Sequence, residues 1–174
     1  MMARIAALTK SSQQLAARPE VRRGCTDGAL LIARIALAWI FIYHGAGTLF
    51  GAFGGLGIHG MSIYFASTAH LHPGTFFAVL SGITEFFGGI AVGVGVLGRF
   101  AAIGLFGDMV IAMITVTFKN GLESSAAGSG YEINIALAAL AAVVALLGTG
   151  RLGVGFLIRR AVSSTRREHH RAES

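Results

Sequence analysis

Four long apolar segments, separated by stretches of unequal length, constrain the fold of this 174-residue chain more than any other feature. A helix of about 20 residues, rising 1.5 Å per residue, crosses a hydrocarbon core of about 30 Å. Most helices of soluble proteins keep a polar face, and these segments mostly have none. The sequence therefore predicts an all-α fold, a bundle of four transmembrane helices. The segments cover about residues 29–50, 75–97, 100–118 and 132–148.

Composition agrees with a membrane protein and excludes several other classes. Apolar residues make up 54% of the chain and charged residues only 13%, whereas soluble domains carry about 25% charged residues. Such a high apolar content also excludes a disordered chain. Cys25 is the only cysteine, which excludes a disulfide scaffold and argues against a dithiol–disulfide enzyme.

Basic residues lie almost entirely outside the apolar segments. With four crossings, both termini and the turn at residues 98–99 share one face, which carries 12 of the 14 Lys and Arg residues. The positive-inside rule then predicts a multi-pass protein of the bacterial inner membrane with both termini in the cytoplasm. This division gives a basic tail over residues 1–28, a transmembrane domain over 29–150 and a second basic tail over 151–174. Because the basic residues follow membrane topology, we do not expect nucleic-acid binding.

Three charged residues fall inside the predicted spans, where an unpaired charge costs about 2.5 kcal/mol or more. Counted from the cytoplasmic ends of their helices, Arg34 lies about 8 Å deep, Asp108 about 12 Å and Glu85 about 18 Å. We predict an ion pair between Arg34 and one acid, while the other acid holds a proton or bonds a hydroxyl. One role for these charges is a buried ion pair that fixes the helix register. The alternative is proton or quinone chemistry at Glu85 or Asp108. Alternatively, Arg34 snorkels to the surface.

Stripes of small residues run beside both acids. Glu85 shares one face of its predicted helix with Gly89 and Gly93, and Asp108 shares another with Gly104. Small residues at this spacing allow transmembrane helices to approach closely. We therefore expect both acids to face the interior of the bundle.

His44 lies near the outer end of the first predicted helix, close to where Tyr131 and Glu132 begin the fourth. A histidine suits proton exchange or a hydrogen bond to a quinone carbonyl, so these three residues are predicted to bind a cofactor. The alternative for His44 is an interfacial side chain bonded to a backbone carbonyl. Haem needs a second membrane histidine for bis-histidine ligation, and we predict no metal site. Residues 51–74 are predicted to form a long outer loop, whose histidines make only a weak metal-binding pattern: His59, His70 and His72.

A series of short motifs resembles the DoxX family of small four-helix bacterial membrane proteins. Their order and spacing hold over about residues 30–153. One position departs from the family's His-Gly-x-x-Lys pattern, since Thr48 stands where the lysine is often found. The motifs are His44-Gly45, Leu49 to Gly55, Gly60, Tyr64 to Ser67, Glu85 to Gly89, Leu97 to Arg99, Lys119 to Gly121, Gly130 to Glu132 with Asn134, and Gly148 to Leu152.

The resemblance implies an inner-membrane protein linked to quinone-coupled oxidoreductases or to oxidative-stress complexes with superoxide dismutase and a sulfurtransferase. The leading hypothesis is an accessory subunit of a membrane redox assembly that handles quinone or protons through Glu85, Asp108 and His44. Its basic face would dock a soluble redox partner, and a homo-oligomer is compatible with the sequence. The alternatives are a proton-coupled small-molecule permease or detoxification protein, and a pure membrane scaffold.

Overall fold

The computed structural model of the chain describes residues 19–123 and 129–156. Within these ranges the chain is helical and contains no strand. Most of the two predicted basic tails, residues 1–18 and 157–174, lies outside the described residues, so the division into tails and membrane domain stays a prediction. The α-helices are α1 (Pro19–Phe50), α2 (Gly57–Ser67), α3 (Gly74–Val94), α4 (Gly98–Ala112) and α5 (Glu132–Leu147).

Three of these helices are long and apolar enough to cross a membrane. The spans are Arg23–Phe50 in α1, the whole of α3, and Gly98–Asn120, in which α4 continues through a π-helical turn and a 3-10 turn. The fourth helix, α5, is apolar but has only 16 residues, about 24 Å. The all-helical membrane bundle is therefore confirmed, while the orientation of its termini stays a prediction.

Two boundaries differ from the sequence prediction. Helix α1 already includes Pro19, ten residues before the first apolar segment. Helix α3 ends at Val94 rather than near residue 97, because Gly95 adopts φ 80° and closes the helix in the left-handed region.

The stretch 51–74 was predicted to be a loop, and that prediction is wrong for residues 57–67, which form α2. Ile58, Met61 and Phe65 recur at helical spacing along it. The side chain of Ser62 hydrogen-bonds that of Thr75 at the start of α3, with the two oxygens 2.8 Å apart. Helix α2 therefore packs beside α3 and helps to close one end of the bundle.

Helices α1 and α3 run antiparallel and meet through small residues. A side chain built at Gly45 would collide with the backbone of Phe86, and one at Gly89 would press on Ile42. Gly93 lies against Ala38 one turn further on. This agrees with the small-residue face predicted on α3. The fully buried core beside this contact draws on α1, α3, α4 and α5 through Leu37, Phe41, Val92, Leu105 and Val144.

Candidate functional site

The two membrane acids lie together between α3 and α4. The carboxyl groups of Glu85 and Asp108 lie close enough to interact electrostatically, as expected for two inward-facing acids. The hydroxyl of Thr48 lies beside Glu85, and that of Ser81 lies beside Asp108. In the described part of the chain, Glu85 Oε2 is buried and accepts no hydrogen bond from an N–H or O–H donor.

This arrangement can hold a proton between two carboxyl groups. Two carboxylates at this range repel each other strongly in a low-dielectric interior, and one proton shared between them removes that repulsion. A protonated carboxyl then has an O–H to donate and the other carboxyl an oxygen to accept. The pair therefore offers a proton and a free acceptor oxygen at the same place.

Arg34 does not join this pair. Its guanidinium donates to three backbone carbonyls, with donor–acceptor distances of 2.8 Å to Val92, 2.6 Å to Gly93 and 2.8 Å to Thr149. Val92 lies seven residues beyond Glu85, about 10 Å further along α3. The predicted ion pair with Glu85 or Asp108 is therefore not formed. Arg34 binds backbone carbonyls instead, because the last carbonyls of a helix have no partner within it and attract a cation.

A cavity of about 350 Å³ reaches Glu85 from one end of the bundle. We call it the acid cavity. Helix α1, the segment 52–56, α2 and α3 form its walls. Glu85 and the half-buried Ser81 lie in the wall from α3, and the exposed His44 lies in the wall from α1. The remaining lining residues are Tyr43, Gly47, Thr48, Ala52, Phe53, Gly54, Gly55, Leu56 and Met61.

The glycine-rich segment after α1 folds back over this cavity. Gly55 lies against the backbone of Gly47, so closely that any side chain there would collide. Phe53 adopts φ 54°, and its ring stacks on that of Tyr43 with centroids 4.9 Å apart. The segment thereby forms one wall of the acid cavity beside the end of α1.

Of the predicted cofactor-binding residues, the structure places only His44 at the acid cavity. Tyr131 is not among the described lining residues, and its ring instead stacks on Phe118 with centroids 5.5 Å apart. Glu132 is exposed in the first turn of α5 and likewise does not line the cavity. The predicted grouping of these three residues is therefore not found at this site.

Sequence reasoning did not single out Ser81 or Tyr43 as site residues. Ser81 lies four residues before Glu85, so it shares a helix face with that acid, and this spacing was a usable signal. Tyr43 is next to His44 along the chain, but its role depends on the fold of residues 52–56, for which no pattern was available. Across the described residues, no three His, Cys, Asp or Glu side chains are grouped so that they could hold a metal.

The family model of DoxX matches residues 29–118, more than half of the chain. The chain belongs to the DoxX family. The match contains Arg34, His44, Glu85 and Asp108, and it ends before Tyr131. No curated protein and no solved structure matches this DoxX chain. Family membership and three apolar helices identify a membrane protein.

Proposed function

We propose that this DoxX protein is an accessory membrane subunit of a redox assembly, and that its acid cavity binds the ring of a quinone. The observation that carries the proposal is the buried Glu85 Oε2, which receives no donor from the described residues, belongs to a cavity-lining residue and, when protonated, can donate its O–H to a quinone carbonyl. Asp108, adjacent to Glu85, adds a second carboxyl to the same proton site.

The residues of the cavity suit an uncharged ligand with two carbonyl oxygens. Tyr43 and His44 line it and carry O–H and N–H donors, while the hydroxyls of Thr48 and Ser81 lie beside the two carboxyl groups. Apolar and glycine surfaces supply the remaining walls, as in most small-ligand sites. A quinone accepts electrons together with protons when it is reduced.

The protein's own part in such chemistry is to hold and move a proton. The Glu85–Asp108 pair holds it inside the bundle, and the exposed imidazole of His44 lies at the cavity where it can exchange protons with water. Electrons would come from a soluble partner. The predicted basic face, to which the sequence assigns 12 of the 14 Lys and Arg residues, is the surface we propose for that partner.

The test measures bound quinone after purification of the full chain in a mild detergent. We expect wild-type protein to retain quinone in a near-stoichiometric amount, and Glu85→Gln to retain at least about tenfold less, since a proton-linked contact is lost. Glu123→Gln is the matched control, because Glu123 is exposed and does not line the cavity. Its quinone content should equal that of the wild type.

Two results would overturn the proposal. Wild-type protein free of quinone, with a partner that co-purifies regardless of substitutions at Glu85 and Asp108, would establish a scaffold instead. Proton-coupled solute uptake into liposomes, lost in Asp108→Asn and without bound quinone, would establish the permease alternative.

A further inference from the structure

A second, larger cavity of about 1050 Å³ lies at the opposite end of the bundle. We call it the arginine cavity. The turn between α3 and α4 forms one side, and the glycine-rich segment after α5 forms the other. Gly95, Gly148, Gly150 and Gly155 contribute backbone without side chains, so the cavity is wide.

Two arginines give this cavity its charge. Arg99 and Arg151 both line it, and both are exposed. The described lining residues include no carboxylate. Among the described residues, the acid Asp27 lies beside Gly150 and accepts a hydrogen bond from the backbone N–H of Arg151, with a donor–acceptor distance of 2.9 Å. The cavity is thus a cationic site with one acid at its margin.

Both guanidinium groups keep donors available for a ligand. Arg99 uses Nη2 to donate to the carbonyl of Leu146, 2.8 Å away, and its other N–H groups have no partner among the described residues. The guanidinium of Arg151 lies 5.9 Å from the ring centroid of Phe156 and donates to no described group. Guanidinium groups with free N–H donors match the oxygens of a phosphate.

The rim of the arginine cavity is apolar and lies at the ends of the transmembrane helices. Leu97, Phe100 and Leu147 are 71%, 74% and 58% exposed, respectively. A free phosphate ion makes no favourable contact with apolar side chains of this kind. A phospholipid does, because its headgroup lies at the level of the helix ends while its acyl chains extend along the outer helix surfaces.

We propose that the arginine cavity binds an anionic phospholipid, with Arg99 and Arg151 holding the headgroup phosphate and the apolar rim contacting the acyl chains. The lack of a lining carboxylate favours an anionic headgroup over one that carries an ammonium group. This site is independent of the quinone proposal, since the arginine and acid cavities share no lining residue.

Native mass spectrometry of the full chain, titrated with phosphatidylglycerol or phosphatidylcholine, tests this site. We expect phosphatidylglycerol to bind more tightly. Arg151→Gln should weaken it about fivefold and the double variant Arg99→Gln/Arg151→Gln about 25-fold, from about 1 kcal/mol per arginine near a membrane surface. Arg23→Gln, an exposed cation at the same end that does not line the cavity, should leave affinity unchanged.

The double variant loses the Arg99–Leu146 hydrogen bond, which could disturb folding. The single variant Arg151→Gln avoids this problem, since the Arg151 side chain makes no hydrogen bond to described residues. Equal affinity for the two lipids, or no weakening in Arg151→Gln, would overturn the proposal. An excess of inorganic phosphate at constant ionic strength should not displace phosphatidylglycerol. Displacement would identify a site for soluble anions instead.

Discussion

Arg34 is a cation sealed inside a membrane protein, 1% exposed, whose hydrogen-bond acceptors are all backbone carbonyls. Val92 and Gly93 belong to the last turn of α3, where carbonyls have no partner within the helix and carry the negative end of its dipole. The third acceptor, Thr149, follows α5. One side chain thus caps α3 and ties it to α1 and to the segment after α5.

We expect Arg34→Leu to lower the free energy of unfolding by at least about 3 kcal/mol. It removes three hydrogen bonds from a charged donor and leaves buried carbonyls without partners, and each such bond contributes about 1.5–3 kcal/mol. The free energy of unfolding of Arg34→Lys should lie between those of the wild type and Arg34→Leu, because one ammonium group cannot reproduce the planar array of guanidinium donors. Denaturant unfolding in detergent measures this. Arg23→Leu is the control, and equal stability of the two leucine variants would contradict the capping role.

The sequence allowed the burial of Arg34 to be predicted but not its acceptors. A search for partners by charge finds only acids, whereas carbonyl oxygens occur at every residue and become visible only when a helix end is located. The inward orientation of Glu85 and Asp108 was predictable, since both lie on stripes of small residues. Their direct contact was not, because it depends on how α3 and α4 are rotated against each other.

At the scale of the helices, the acid cavity depends on close contact between α1 and α3. Gly45 lies directly before the turn that carries Thr48, and it faces the backbone of Phe86, the residue after Glu85. A methyl group at Gly45 would come within 2.4 Å of the Phe86 backbone nitrogen. The two helices must therefore separate to accommodate it.

We predict that Gly45→Ala destabilises the protein by about 1–3 kcal/mol, the usual cost of overpacking. Gly107→Ala is the matched control. It places the same methyl group within a helix where nothing lies within 4 Å, and alanine is favoured over glycine in helices by up to about 1 kcal/mol. In thermal unfolding, Gly45→Ala should lower the melting temperature and Gly107→Ala should raise it. A Gly45→Ala protein as stable as the wild type would show that the α1–α3 contact tolerates a wider spacing.

Helix α2 shows the limit of prediction at this scale. Its 11 residues are too few for a membrane span, and Gly57 and Gly60 reduce its intrinsic helix preference. Its stability comes from packing beside α3, including the Ser62–Thr75 hydrogen bond. The helical spacing of Ile58, Met61 and Phe65 is a signal in the sequence, but local patterns do not contain the tertiary contacts that stabilise so short a helix.

For the whole molecule, the two ends of the bundle differ in chemistry. One end opens on the acid cavity with Glu85 and His44, and the other on the arginine cavity with Arg99 and Arg151. Arg34 lies between the two, closer to the arginine cavity, where its carbonyl acceptors are. Of this polarity the sequence predicted only the basic end, through the distribution of Lys and Arg, which is a property of the chain order and does not depend on packing.

Labelling of single cysteines tests the orientation of the bundle in the membrane. Cys25 is the only cysteine of the chain and is exposed at the start of α1, at the end where the arginine cavity lies. If both termini are cytoplasmic, a membrane-impermeant maleimide should label Cys25 in inverted membrane vesicles and leave it unlabelled in intact spheroplasts. Ser129→Cys in a Cys25→Ser background is the matched control, since Ser129 is exposed in the turn before α5. It should be labelled in spheroplasts, because one crossing separates it from the arginine-rich end. Labelling of Cys25 in intact spheroplasts would reverse the topology and place the acid cavity, rather than the arginine cavity, on the cytoplasmic side.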